Sequence, residues 1–201
     1  MLDEFRRSFS PAYESVISII TGQLKLQPTG RPAKSTQSIR AKLKRESIRL
    51  AQIQDIAGCR IVVADSVEQD RVILELRRVF PTSRMIDRRN SPSHGYRAVH
   101  IIVDFDGRLI EIQIRSALQH LWAEFSEKLS DIADPAIKYG GGNKKFRSTL
   151  ANVSDAIAGI EVKEAASGLA QTKVRPLRDE TLRALESAIA GLAQIAEKQA
   201  R

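Results

Sequence analysis

The sequence predicts an α+β fold, and three observations carry that reading. Segments 96–104 and 108–115 alternate apolar and polar residues and meet at Asp106-Gly107, whose residues tolerate the positive φ that a tight hairpin requires. The run at 58–64 is compact and β-branched, as a buried strand should be. Around these strands, long segments space their apolar residues three and four apart, the period of helices with one buried face.

Along the chain, Ser10-Pro11 opens a helix whose inner face is Tyr13, Val16, Ile17, Ile20 and Leu24. A loop is expected at 27–32, then a helix over 36–49 with Ile39, Leu43 and Ile48 inward and its basic residues outward. After the strand at 58–64, residues 67–80 read as an amphipathic helix stopped by Pro81, which cannot continue one. Residues 84–88 suit a short strand, and 90–95 form a loop by composition. Ser116 and Gln119 have capping-box spacing and open a helix with the stripe Leu118, Leu121, Trp122, Phe125 and Leu129. Gly140-Gly141-Gly142-Asn143 breaks the chain, and helical segments follow at 146–169 and 176–200, the second with Leu182, Leu185, Ile189, Leu192 and Ile195 on one face. The expected division is a domain at 1–139 with an N-terminal helix and a helical extension at 140–201. The Ala-rich faces of that extension suit packing on the domain or on a second copy in a homo-oligomer.

A chain of 201 residues matches one domain with a helical appendage, since domains run to about 100–200 residues. Apolar residues at 42% and charged residues at 28% exclude collagen-like, low-complexity and mainly disordered chains. The single cysteine, Cys59, excludes an internal disulfide framework and a paired-cysteine metal or redox motif. No apolar stretch approaches the ~20 residues that span a bilayer, and no charged-then-apolar leader opens the chain, so a cytoplasmic protein without membrane contact is expected.

Lys and Arg number 32 against 24 acids, and the excess is concentrated. Residues 25–49 hold Lys25, Arg31, Lys34, Arg40, Lys42, Lys44, Arg45 and Arg49 against one acid, Glu46. Such a block reads as a surface for the phosphates of nucleotides or nucleic acid, or as a solvated helix face.

In the hairpin, Ile110, Ile112 and Ile114 point to one face and Glu111, Gln113 and Arg115 to the other, because strand side chains alternate. On the preceding strand Val99, Ile101 and Val103 form an apolar row that leaves Tyr96 and His100 opposite. If the apolar rows share the core, Tyr96, His100, Glu111, Gln113 and Arg115 share the other face. An ordinary antiparallel sheet with one wet face shows the same alternation.

His94, His100 and His120 lie on three different elements, which with one Cys makes no zinc set. The triple Gly before Lys144 lacks P-loop spacing, and no nucleophile-elbow motif supports Ser–His–Asp catalysis. What remains is Asp55, just before the first strand, and Glu111, within a central one, beside the basic helix. Two acids among many cations suit magnesium-assisted phosphoryl transfer. The hard ion takes oxygen ligands and keeps waters and substrate phosphates, while Lys and Arg offset charge on the transferring group.

Four segments make the reading sharper: Lys34-Ser-Thr-Gln-Ser38-Ile-Arg-Ala-Lys42-Leu-Lys-Arg45; Asp55-Ile-Ala-Gly-Cys-Arg60-Ile; Gly95-Tyr96-Arg97-Ala-Val-His100; and Glu111-Ile-Gln113-Ile-Arg115-Ser-Ala-Leu-Gln-His-Leu-Trp122. In order and spacing they resemble the RelA/SpoT synthetase family, the alarmone synthetases, over about residues 30–128. The resemblance implies a mixed β-sheet flanked by helices, nucleotidyltransferase-like, with C-terminal helices here. It implies transfer of the β,γ-pyrophosphate of ATP to the 3′-hydroxyl of GDP or GTP, giving (p)ppGpp. In that reading Asp55 holds Mg²⁺, and Glu111 shares the metal or takes the proton of the attacking hydroxyl. Lys34, Ser38, Lys42 and Arg45 hold the ATP phosphates and Arg60 stacks on adenine. Tyr96 stacks on the acceptor base, with His100, Gln113 and Arg115 around the acceptor sugar and phosphates.

The chain departs from the family pattern twice. Pro32 stands where the family commonly has Arg, and the loop at 90–94 lacks the Lys that usually approaches the acceptor phosphates. The changed loop keeps a second acceptor class open: toxin-type relatives pyrophosphorylate the 3′ end of tRNA or make (p)ppApp, and imply an antitoxin partner. A third reading is a non-catalytic RNA-binding module using the basic helix, although a pure binder has no need of Asp55 and Glu111 near phosphates.

Overall fold

The computed structural model describes residues 2–166 and 169–199; the parts of the two expected C-terminal segments at 167–168 and at Ala200 lie outside them. The contacts group the chain into two units.

The first unit comprises residues 2–62, 71–86 and 99–114. It opens with α1 (Leu2–Arg7) and α2 (Ser10–Gln23), the latter carrying Pro11 in its first turn and burying Ala12, Val16 and Ile20. The edge strand β1 (Thr29–Arg31) lies where a loop was expected. It pairs antiparallel with β2 (Ala57–Val63), and its Gly30 is needed because a Cβ there would sit 2.6 Å from the Gly58 carbonyl oxygen. Between these strands, α3 (Thr36–Glu46) starts at the cap residue Ser35 and stops at Ser47, whose left-handed φ of 50° ends the helix three residues before the expected end.

Most of α4 (Ser66–Val79) and β3 (Arg84–Asp87) follow, then the hairpin of β4 (Val99–Phe105) and β5 (Arg108–Ser116). Asp106 and Gly107 take φ of 51° and 71°, the paired left-handed conformations that an Asp-Gly turn permits. The strand order is β1-β2-β5-β4-β3 in one mixed sheet with helices around it, the α+β architecture expected. Register follows from the turn. Val99, Ile101 and Val103 face Ile114, Ile112 and Ile110 on a fully buried side, while His100 opposes Gln113 and Ile102 opposes Glu111 on the other. The strand expected from Tyr96 begins only at Val99.

The second unit comprises residues 63–70, 87–98 and those from 115 onward. Its core is a cluster from α5 (Ala117–Ile132), α6 (Lys144–Ala165) and α7 (Leu169–Gln199), including Leu118, Trp122, Leu150, Ile157, Val174 and Leu185. The capping box is present: the Ser116 hydroxyl accepts from the Gln119 N–H and the Gln119 side chain accepts from the Ser116 N–H. Helix α7 starts seven residues before the expected start at Pro176, which sits inside it. Burial of Val174 holds the turn that the proline would otherwise disfavour. Among the described residues no helix is long and apolar enough to cross a membrane.

A polar seam runs through this core. Gln119 donates to both carboxylate oxygens of Glu161, at 3.1 and 3.0 Å, the Ser116 hydroxyl donates to the same carboxylate, and Gln69 donates to Gln119 at 2.9 Å. One turn along α6, Glu164 accepts from Arg178 Nε at 2.7 Å. Burial, only partly offset by Arg178 and reinforced by the charges of Asp65, Glu161 and Asp179, pushes the Glu164 pKa from 4.5 up to about 7. A raised carboxyl pKa favours folding while the group is protonated, so this contribution is full below 4.5 and lost as pH rises through about 7. Glu164→Gln is therefore expected to stabilise the protein at pH 8 by about 1–2 kcal/mol, after discounting for solvent screening, and to change little at pH 4. Urea unfolding at the two pH values checks this; equal effects at both would refute it.

Candidate active site

Asp55 sits between the segment that starts α3 and the one that enters β2. The Lys34 N–H donates to the Ile56 carbonyl at 2.6 Å, which ties these two segments together. Lys34 Nζ then reaches Asp55 Oδ2 at 2.5 Å, and Lys42, two turns into α3, reaches Oδ1 at 3.0 Å. The three side chains are 15–21% exposed. Burial opposes ionisation of Asp55, but the two ammonium groups, Lys34 foremost, outweigh it and hold the carboxyl below its ordinary range. Of the other residues expected on ATP, Ser38 shares its hydroxyl with Ser35 at 2.8 Å, and Arg45 donates to its neighbour Glu46 at 2.7 Å. Arg60 is half-buried on β2 opposite Thr29.

Glu111 is held from two sides. His100 Nδ1 lies 2.7 Å from Oε1, and Gln113 Nε2 donates to Oε2 at 2.8 Å. Burial pushes its pKa up, as does the charge of Asp55, but the hydrogen bond and charge of His100 with the Gln113 amide bring it below the usual value. Each acid therefore stays ionised at neutral pH although both are largely buried, and each lies within the electrostatic reach of the other. Gly58 makes room for this: a Cβ on it would sit 2.5 Å from the Glu111 carbonyl oxygen and 3.3 Å from its Cβ. In the sequence Gly58 marks only the start of a strand, and no local signal there reveals that role. Cys59, beside it, is buried and its thiolate is disfavoured. Burial and then the Glu111 charge push its thiol up to about 12.

Tyr96 and Arg115 belong to the second unit and pair there. The Arg115 guanidinium lies 5.0 Å from the Tyr96 ring centroid, and its Nη2 donates to the phenol oxygen at 3.0 Å. Arg115 is buried. Tyr96 is not placed by strand alternation, as expected from sequence, but by a loop bridge to Ser93 that passes through His94 and Gly95 at φ 54° and 87°. Gly95 is required, since a Cβ there would meet the Trp122 ring at 2.6 Å. The expected group of five thus divides into His100, Glu111 and Gln113, which are hydrogen-bonded together, and the Tyr96–Arg115 pair.

Asp55 and Glu111 offer the hard oxygen donors that a divalent cation takes. Among the described residues no group of three or more His, Cys, Asp or Glu is arranged for a metal. Lys34 and Lys42 cover both Asp55 oxygens, so that carboxylate is open to a cation only once these ammonium groups turn to another anion.

A family model described as a region found in RelA/SpoT proteins matches residues 30–130. An uncharacterized protein of Mycobacterium tuberculosis is 43% identical over 112 residues, which are 53% of this chain and 41% of that protein, so the match spans less than half of that relative's length. The GTP pyrophosphokinase YjbM of Bacillus subtilis is 30% identical over 149 residues, 66% of this chain and 67% of that one. The solved structure of small alarmone synthetase 1 from Bacillus subtilis, bound to its product pppGpp, matches with a TM-score of 0.64 at 22% identity, covering 89% of this chain and 98% of that one. At that identity the likeness is one of fold.

Proposed function

The chain belongs to the RelA/SpoT family, and on that footing we propose that it is a Mg²⁺-dependent pyrophosphotransferase that moves the β,γ-pyrophosphate of ATP to the 3′-hydroxyl of GDP or GTP. The observation that carries this reading is the Asp55 carboxylate clasped by Lys34 and Lys42 within reach of a second ionised acid, Glu111. Asp55 and Glu111 would hold Mg²⁺, which when bound supplies positive charge against the phosphates. Lys34 and Lys42 leave Asp55 for the ATP phosphates, joined by Ser38 in the first turn of α3, where the positive end of the helix dipole favours an anion, and by Arg45. Arg60 stacks on adenine. The acceptor 3′-oxygen bonds to the β-phosphorus, the bond from that phosphorus to the α-bridging oxygen breaks, and AMP leaves. The hydroxyl proton passes to Glu111, whose carboxylate His100 and Gln113 orient. Tyr96, backed by Arg115, stacks on the acceptor base. Residues 1–139 are assigned to the transfer chemistry and 140–201 to a helical extension.

A second acceptor, the 3′ end of tRNA, is favoured by one observation. Arg89, next to the acceptor loop, is committed to Asp87 at 2.7 Å and Asp70 at 2.6 Å, and residues 90–94 contain no Lys or Arg for a nucleotide's phosphates. That reading implies an antitoxin protein as partner. The test is ATP labelled in its γ-phosphate, with Mg²⁺, offered GDP, GTP, AMP and tRNA in separate reactions. Label on GDP and GTP is expected, and EDTA should abolish it. Label on tRNA alone would replace the acceptor, and no label on any, with salt-sensitive RNA binding, would make the protein a binding module. Tyr96→Ala should raise the acceptor KM roughly 5- to 150-fold, the worth of one stacked base, and leave the ATP KM unchanged. An unchanged acceptor KM would remove the stacking role.

A further inference from the structure

We propose that Arg97 is a positioning residue that, with Ser154 of α6, latches the acceptor loop so that Tyr96 is presented in one place; the inference rests on the acceptor role of Tyr96 proposed above. Arg97 is 9% exposed although its guanidinium is a strongly solvated group, so its partners define its purpose. Its Nε donates to Ser154 Oγ at 2.9 Å, its Nη1 donates to the Arg89 carbonyl and its Nη2 reaches Asp155 at 2.7 Å. Ser154 Oγ in turn donates to the Gly95 carbonyl at 2.6 Å.

These bonds close the loop at both ends. The carbonyl of Arg89, where the loop begins, and the carbonyl of Gly95, where it finishes, are tied through one guanidinium and one hydroxyl to the same turn of α6. Tyr96 lies between two residues, Gly95 and Arg97, that are each bonded to that turn, and Gly95 also rests on Trp122, whose indole N–H donates to the Leu150 carbonyl of α6 at 2.9 Å. Asp155 contributes least, because its side chain is 71% exposed and a surface ion pair is weak. The fork of the guanidinium, which lysine cannot reproduce, serves two loop-closing acceptors at once. Helix α6 thereby reaches acceptor recognition without touching the acceptor.

The variants are Ser154→Ala, which removes the central hydroxyl with little change of volume, and Arg97→Lys, which keeps the charge and loses the fork. In each, the GDP KM should rise about tenfold with kcat within about twofold and the ATP KM unchanged. Amide hydrogen exchange at 93–97 should quicken about tenfold in the intact protein, with β2, β4 and β5 unaltered. A general loss of stability would speed exchange in those strands too. Unaltered exchange at 93–97 in both variants overturns the latch. Faster exchange with an unchanged GDP KM overturns the positioning role, and Tyr96→Ala then separates two failures. If it raises the GDP KM, only the positioning role of the latch is wrong; if it does not, the acceptor reading is wrong as well.

Discussion

Asp55→Asn and Glu111→Gln are each expected to lower pyrophosphate transfer by roughly 10²–10³-fold or more, the scale on which removing a group that stabilises transition-state charge is felt. Both substitutions keep side-chain size and an oxygen acceptor, so the sheet and α3 should persist. In Asp55→Asn, Lys34 and Lys42 lose the carboxylate between them, but at 15% and 21% exposure each can reach water. The Asp55 pKa is lowered on folding, so its contribution to stability is present above its ordinary value of 3.8 and lost as pH falls through the lowered one. The Asn variant should accordingly be less stable than the parent at pH 7 and converge with it in acid. Initial rates with labelled ATP, beside unfolding curves, check both halves. A near-parental rate in either variant would remove that acid from the metal and proton-transfer roles.

Gly58→Ala is expected to act nearly as strongly without touching an ionisable group. The new methyl would stand 2.5 Å from the Glu111 carbonyl oxygen, and the obstacle is backbone of a central strand, not the end of a flexible side chain. One strand must shift, which costs about 1–3 kcal/mol as overpacking. The displacement moves Glu111 itself, and a misplacement of about 1 Å at a reacting group costs on the order of 100-fold in rate. The variant should fold, melt earlier and transfer slowly, with the ATP KM changed less than kcat. Parental stability and rate together would show that the close approach of β2 to Glu111 is not needed.

Much of the architecture was legible because it rests on interactions a few residues long. Asp106-Gly107 marks the turn and alternation puts His100, Glu111 and Gln113 on one face, while the register that sets His100 opposite Gln113 comes from the structure. Ser116 and Gln119 read as a capping box because both partners lie within one helical turn. Tyr96 falls outside the alternation for the converse reason, since β4 starts three residues later and a loop with left-handed backbone precedes it.

By itself, then, the sequence determined the α+β class, the hairpin and its two faces, the helix that follows it, and the acids and cations from which a phosphate site could be built. The tertiary structure alone decided what no local period encodes. Thr29–Arg31, wholly exposed, are a strand only because β2 offers an edge that Gly30 can approach. Helix α7 runs through Pro176 because Val174 is buried before it. Lys34 and Lys42 meet Asp55 across 21 and 13 residues, and Arg97 meets Ser154 across 57. Such contacts depend on how whole elements pack, which burial and chain connectivity settle together, while propensity and turn chemistry act only between near neighbours along the chain.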